Sequence, residues 1–203
     1  MPPKAHTVTL NNDQVKMITE QITDSVFARL ESKMEEQQKI INKKISDISD
    51  NLKDKADELE QRDRIINLRI FGVPEKKGES TDKLVIKVAQ QANVTLNENC
   101  ISRSHRVGPR DQDRTRAIIV RFVSYADRKS LFHAKKALKG TGISIREDLT
   151  KLRQDLLKKV SAEYGFESVW TSDGVIIVKI GNVFHRVKTE DDYEKLCEEH
   201  PST

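Results

Sequence analysis

From Asn12 to Arg64 the chain contains neither glycine nor proline, and Glu, Lys, Gln and Asp dominate it. Nothing in that stretch bends or stops a helix, so a single long helix is expected. Asn12 is expected to cap its start, and Asp13 complements the N-terminal dipole. Its apolar residues repeat every seven positions. Phe27, Met34 and Ile41 form one block; Ile45, Leu52, Leu59 and Ile66 form another, joined to the first by a four-residue stutter. Leu30 and Ile48 hold complementary positions, but Gln37, Lys55 and Arg62 hold others, so the seam is thin. A helix of ~50 residues is ~75 Å long at ~1.5 Å per residue. Folding back on itself cannot bury one stripe over that length. Pairing with copies of the same chain can, as a parallel coiled coil; packing against the chain's own domains is the alternative. The oligomerisation set is therefore Phe27, Leu30, Met34, Ile41, Ile45, Ile48, Leu52 and Leu59, and the polar seam positions leave dimer and trimer both open.

Composition agrees with an elongated element carrying small domains. Charged residues make up 33% and hydrophobic ones 36% of 203 residues, too polar for one globule and too apolar for a disordered chain. Ile118–Val120 and Val175–Val178 are the longest aliphatic runs, so no membrane partner is expected. Met1–Leu10 has no apolar signal core. Cys100 and Cys197 are too few for a disulfide framework or a cysteine-built metal site, and no cofactor is expected. Charge is segregated: residues 1–61 carry net −3, residues 62–146 net +11, and residues 147–203 net −4. A basic centre between acidic ends points to a polyanion held by the middle.

That centre reads as β-α-β-β-α-β. Ile65–Val73 alternates and ends at Gly72 and Pro74. Ser80 caps a helix over Asp82–Ala92, Ile101–Val107 is a second strand, and Ala117–Phe122 a third. Ser124 with Asp127 forms a capping box opening a helix over Tyr125–Leu138, and Ile143–Ile145 is the fourth strand. The helices cover one face. The other displays Asn67, Arg69 and Phe71 with Ala117, Ile119 and Arg121. RNA recognition motifs carry base-stacking aromatics on such strands; here Arg69, Ala117 and Ile119 occupy those places, so contacts shift toward phosphate. Arg103, Arg106, Arg110, Arg114, Arg116 and Arg121 fall within nineteen residues with no lysine among them. Guanidinium binds phosphate bidentately and stacks on bases, and Asp111 and Asp113 are too few to neutralise six. His105 beside Ser104 has no third catalytic partner in view.

Beyond lies a helix over Asp148–Tyr164, with Leu149, Leu152, Leu156 and Val160 at helical spacing. Three strands follow, Glu167–Thr171, Val175–Ile180 and Val183–Lys188, joined by Ser172–Gly174 and Gly181–Asn182 turns. Thr189 with Asp192 caps a last helix. The acidic surface of this domain is not expected to seek RNA itself; Trp170 is expected in the core, with a base platform as the alternative, and Lys179, Arg186 and Lys188 along one rim of a cleft.

Four segments, taken in order behind a heptad helix, resemble the first-open-reading-frame protein of LINE-type retrotransposons. They are RDRIINLRIFGVPE (Arg62–Glu75), SRSHRVGPR (Ser102–Arg110), RTRAIIVRFVSYADR (Arg114–Arg128) and LKGTGISIREDLTKLRQDL (Leu138–Leu156). The resemblance implies an α+β protein: a disordered start (1–11), a coiled coil (12–64), an RRM-like domain (65–147), a small C-terminal α/β domain with a β-meander (148–199) and a tail (200–203). It further implies a homo-oligomer, with a trimer favoured, that binds single-stranded RNA and, as a second ligand, single-stranded DNA. Such a protein coats its own transcript as a cytoplasmic ribonucleoprotein, with the nucleus as a second compartment, and acts as a nucleic-acid chaperone. Matched by position, the contacts are Arg69, Arg103, Arg106, Arg146 and Arg153; the basic loop adds Arg110, Arg114 and Arg116, and the open sheet face adds Arg121. No Walker loop, G-x-G-x-x-G, H-E-x-x-H, G-x-S-x-G or C-x-x-C is present, so no enzyme is expected. The competing class is a coiled-coil scaffold whose basic domain docks acidic proteins.

Overall fold

The computed structural model describes residues 11–110 and 115–201, and the protein is α+β. The chain divides between Lys53 and Asp54 into two units. Helix α1 (Asn12–Arg64) contributes to both. Its cap is Asn11, one residue earlier than expected. The Asn11 Oδ1 accepts from Gln14 N at 2.8 Å, while Gln14 Oε1 accepts from Asn11 N at 3.0 Å, a reciprocal arrangement that Asn12 has no glutamine to complete. Up to Lys53 every described residue is exposed. The stripe residues Phe27, Leu30, Met34, Ile41, Ile45, Ile48, Leu52 and Leu59 are between 49% and 69% exposed. Val15, Ile18 and Ile22, also exposed, extend the apolar stripe toward the N-terminus. Among the described residues no helix is long and apolar enough to cross a membrane.

The second unit starts with the last turns of α1, where Asp57 and Gln61 are buried. Strands β1 (Asn67–Phe71), β2 (Ile101–Arg106), β3 (Ile118–Phe122) and β4 (Ser144–Glu147) form an antiparallel sheet in the order β2-β3-β1-β4. Helices α2 (Thr81–Gln91) and α3 (Tyr125–Ala134) join its core. Leu68, Ile70, Ile118, Val120 and Phe122 from alternate strand positions meet Val85, Val88, Ala89 and Leu131 there. Burying such side chains supplies about 1.5–3 kcal/mol each. The capping box expected at Ser124 is replaced by a simpler cap: its hydroxyl accepts from Ala126 N at 3.1 Å. Past Ala134 the helix tightens into a 3₁₀ turn, Lys135–Leu138. Gly72 adopts φ +82°, and a Cβ there would lie 2.0 Å from the Gly142 carbonyl oxygen, so this crossing of chains admits only glycine.

Helix α4 (Lys151–Tyr164) begins three residues later than expected, because Thr150 caps it, accepting from Arg153 N at 3.2 Å. Leu149 is buried ahead of the helix, and Leu152 is exposed. Strands β5 (Val169–Ser172), β6 (Val175–Ile180) and β7 (Val183–Val187) form a meander, and α5 (Glu190–Glu199) follows. Leu156, Val160, Val169, Ile176, Val178, Val187 and Leu196 make a second core. The β5–β6 turn has Asp173 and Gly174 both at positive φ, as a two-residue hairpin loop requires. The Thr189–Asp192 capping box is present.

Candidate nucleic-acid interface

Strand register sets the open face of the first sheet. His105 on β2, Ile119 on β3, Arg69 on β1 and Arg146 on β4 are successive cross-strand partners, one row spanning all four strands. Arg103, Arg121 and Asn67 form the next row. Two residues apart along each strand, these rows share a face while Leu68, Ile70, Ile118 and Val120 point into the core.

The expected arginines divide by what already holds them. Arg146 is exposed, with its guanidinium 5.2 Å from the Phe71 ring centroid and no carboxylate partner among the described residues. Arg103 is also exposed. Arg110 is 71% exposed and reaches Glu75 only at 3.4 Å. Arg69 donates to Asp148 at 2.6 Å. Arg121 donates to Asp63 at 3.0 and 3.2 Å, and this hydrogen bond holds the Asp63 carboxyl below its ordinary range. Arg116 likewise bonds Glu75, and Arg106 bonds Glu79 at 2.7 Å; each glutamate is held below the usual carboxylate value by its arginine. The counterions come from outside the Arg103–Arg121 stretch, which sequence counting of Asp111 and Asp113 alone misses.

Two of the set are withdrawn from solvent. Arg106 is 4% exposed at its side chain and also donates to the carbonyls of Val73, Pro74 and Arg116. Arg153, at 3%, donates to Asp57 at 2.7 Å, Glu58 at 2.6 Å and the Gly174 carbonyl at 2.8 Å. With each of its three nitrogens bonded and the side chain buried, Arg153 faces no open surface; it positions the elements around it. Arg114 lies outside the described residues.

Beside Arg69 and Arg146 opens a groove of about 460 Å³. Phe71 and Lys135 line one wall; Leu157, Phe166 and Trp170 line the other. Lys135 lies 3.7 Å from the Phe132 ring centroid, and burial pushes its ammonium below the usual lysine range. Its charge is poorly solvated, so an arriving anion gains more from it than from a surface lysine.

Adjacent acids at the end of β4 fix the two walls. Asp148, 1% exposed, accepts from Arg69, from Arg64 at 3.2 Å and from Asn67 at 3.0 Å. Gln61 donates to the Asp148 carbonyl at 3.1 Å and accepts from Thr150 N at 2.9 Å, tying α1 to the start of α4. Glu147 turns the other way. It pairs with buried Arg128 and accepts from the backbone N–H groups of Asp173 at 2.8 Å and Gly174 at 3.1 Å. Sequence reading makes Asp148 a helix start and gives Glu147 no role; the signal for both is a carboxylate pair at the end of a strongly basic block, where arginines need counterions.

Trp170, expected in the core, is 40% exposed and meets Phe184 edge-on, ring centroids 5.9 Å apart. Strand alternation explains it: Val169 faces the second core, so Trp170 faces away. Among the described residues no group of three or more His, Cys, Asp or Glu is placed to hold a metal ion. No protein-family profile and no curated protein matches the chain.

Proposed function

We propose that this protein is a homo-oligomeric single-stranded nucleic-acid-binding protein and chaperone, of the retrotransposon ribonucleoprotein type that its sequence resembles. The observation that carries the reading is the sheet row ending in Arg69 and Arg146. It sets one guanidinium, without a carboxylate partner among the described residues, against Phe71, beside a groove lined by aromatic and cationic side chains. Unpaired polynucleotide offers phosphates to such cations and bare bases to such rings; a duplex offers only phosphates. The order β2-β3-β1-β4 with two helices on one face supports the RRM-like reading. The exposed heptad stripe supports a parallel coiled coil, with the trimer taken from the family resemblance. Linked copies turn modest affinity per module into high avidity on one strand, and weak single contacts let strands exchange without nucleotide hydrolysis.

Anisotropy of a labelled single-stranded RNA at a series of salt concentrations tests this. The expected plot of log affinity against log salt falls with a slope of about 0.7 per phosphate neutralised. Indifference to RNA, coupled with tight capture of acidic proteins, would replace this reading by the scaffold.

A further inference from the structure

The second sheet has one face turned into its core; on the other, Val175 and Ile177 are buried and the residues around them reach solvent. Trp170, Ile177 and Arg186 are cross-strand partners on β5, β6 and β7, and Lys179 pairs with Phe184 one step along. Alternation puts all five opposite Val169, Ile176, Val178 and Val187, which bury against α4 and α5. Ile177 is buried beneath its neighbours, whereas Trp170, Lys179, Phe184 and Arg186 are exposed. A large aromatic pair left in water on a sheet that has a core to put it in is the informative kind of exposure.

The charges beside the pair identify its occupant. Among the described residues the side chains of Lys179 and Arg186 have no hydrogen-bond or ion-pair partner, unlike most arginines of the first sheet. None of those five residues is acidic, although residues 147–203 carry net −4. Glu190, Asp191, Asp192 and Glu194 sit on α5, which packs on the other face through Leu196. The acidic domain therefore keeps one cationic, aromatic face. That face is continuous with the groove, since Trp170 on edge strand β5 lines both.

We propose that this face is a second contact for single-stranded nucleic acid, a platform on which Trp170 and Phe184 stack unpaired bases while Lys179 and Arg186 hold adjoining phosphates. A strand leaving the groove crosses the β5 edge onto it. This rests on the polynucleotide reading above.

Trp170 is the only tryptophan, so its emission reports the edge that the groove and this face share, while Phe184, Lys179 and Arg186, which do not line the groove, tell the two apart. The full chain is titrated with an oligouridylate of about 20 nucleotides, longer than one stacking site, following tryptophan emission and the anisotropy of a labelled copy together. The expected result is quenching that tracks binding. Trp170→Ala or Phe184→Ala weakens affinity about ten-fold with the salt slope unchanged, and Trp170→Phe restores most of the loss. Lys179→Ala and Arg186→Ala each reduce the slope by about 0.7. Phe184→Ala keeps the reporter, should Trp170→Ala fail to fold. Binding whose affinity Phe184→Ala leaves intact, and whose salt slope Lys179→Ala and Arg186→Ala leave unchanged, overturns the platform and spares the groove. No binding by the unaltered protein overturns both. An emission shift that depends on protein concentration without oligonucleotide assigns the face to a second copy and overturns the platform.

Discussion

Arg69 and Arg146 are cross-strand partners on β1 and β4, yet only Arg69 is neutralised, by Asp148 at 2.6 Å; Arg146 rests against Phe71 instead. Two arginines one strand apart thus do different work. Arg146→Ala is expected to weaken binding of single-stranded RNA and to lower the salt slope by about 0.7, without moving the unfolding midpoint. Arg69→Ala is expected to lower the midpoint as well, because buried Asp148 loses its closest cation. Anisotropy across salt together with urea unfolding separates the two.

Arg153 belongs to the frame. Its guanidinium joins Asp57 and Glu58 of α1 to the Gly174 carbonyl of the β5–β6 turn, at 3% exposure. Removing one partner of such a buried pair costs about 3–5 kcal/mol, because the other charge stays buried. Urea unfolding of Arg153→Gln is expected to show a loss of that size. The double change with Asp57→Asn is expected to lose less than the two single losses added together. A drop in RNA binding without a stability change would return Arg153 to the ligand.

Glycine is required at Gly72 for more than its dihedral angle. Gly72 and Gly181 both have positive φ, but a Cβ on Gly72 meets the Gly142 backbone, whereas one on Gly181 meets nothing within 4 Å. Gly181→Ala is expected to cost about 1–2 kcal/mol, the left-handed penalty alone. Gly72→Ala adds a backbone collision and is expected to unfold the protein or cost several-fold more, as thermal melts would show.

The order of elements was legible because it rests on local signals: the glycine-free helix, alternation in β1 and β3, and the Asp173–Gly174 and Thr189 signatures. Boundaries slipped where a long-range partner intervenes. Asp148 reads as a helix start, but Arg64, Arg69 and Asn67 claim its carboxylate and α4 begins after Thr150. The basic block was legible as a block. Which arginines stay available was not, since Asp63, Glu75 and Glu79 reach them only in the fold. Trp170 was misread by treating rarity as burial when strand parity with Val169 pointed outward.

Acid should loosen the fold through those pairs. Hydrogen bonds from Arg116, Arg106 and Arg153 hold Glu75, Glu79 and Glu58 below the ordinary value of 4.5. On acidification the unfolded chain takes up these protons first, so the stabilisation is complete above about 4.5 and fades as pH falls through the lower folded values. The urea midpoint is expected to stay level from neutral pH to that point and then decline. Arg106→Gln is expected to make the decline shallower by removing one of the three pairs.

Ile45 and Ile48 sit on the exposed stripe of the first unit, at 60% and 61% exposure. On the coiled-coil reading, sedimentation equilibrium gives a mass that is a multiple of 23.2 kDa, three-fold for the trimer. Replacing both by Asp places charges on the seam and is expected to shift the mass toward the single chain. Trp170 lies in the other unit, which starts at Asp54, and its emission on unfolding is expected to keep its midpoint. Separation of the copies should then cost avidity and nothing else. Affinity for an oligonucleotide that fills one module is expected to hold, while affinity for a long strand falls by about 10²-fold or more. Were the long strand bound as tightly by the single chains, one module would account for the whole affinity, and bundling would have no part in the proposed binding of RNA.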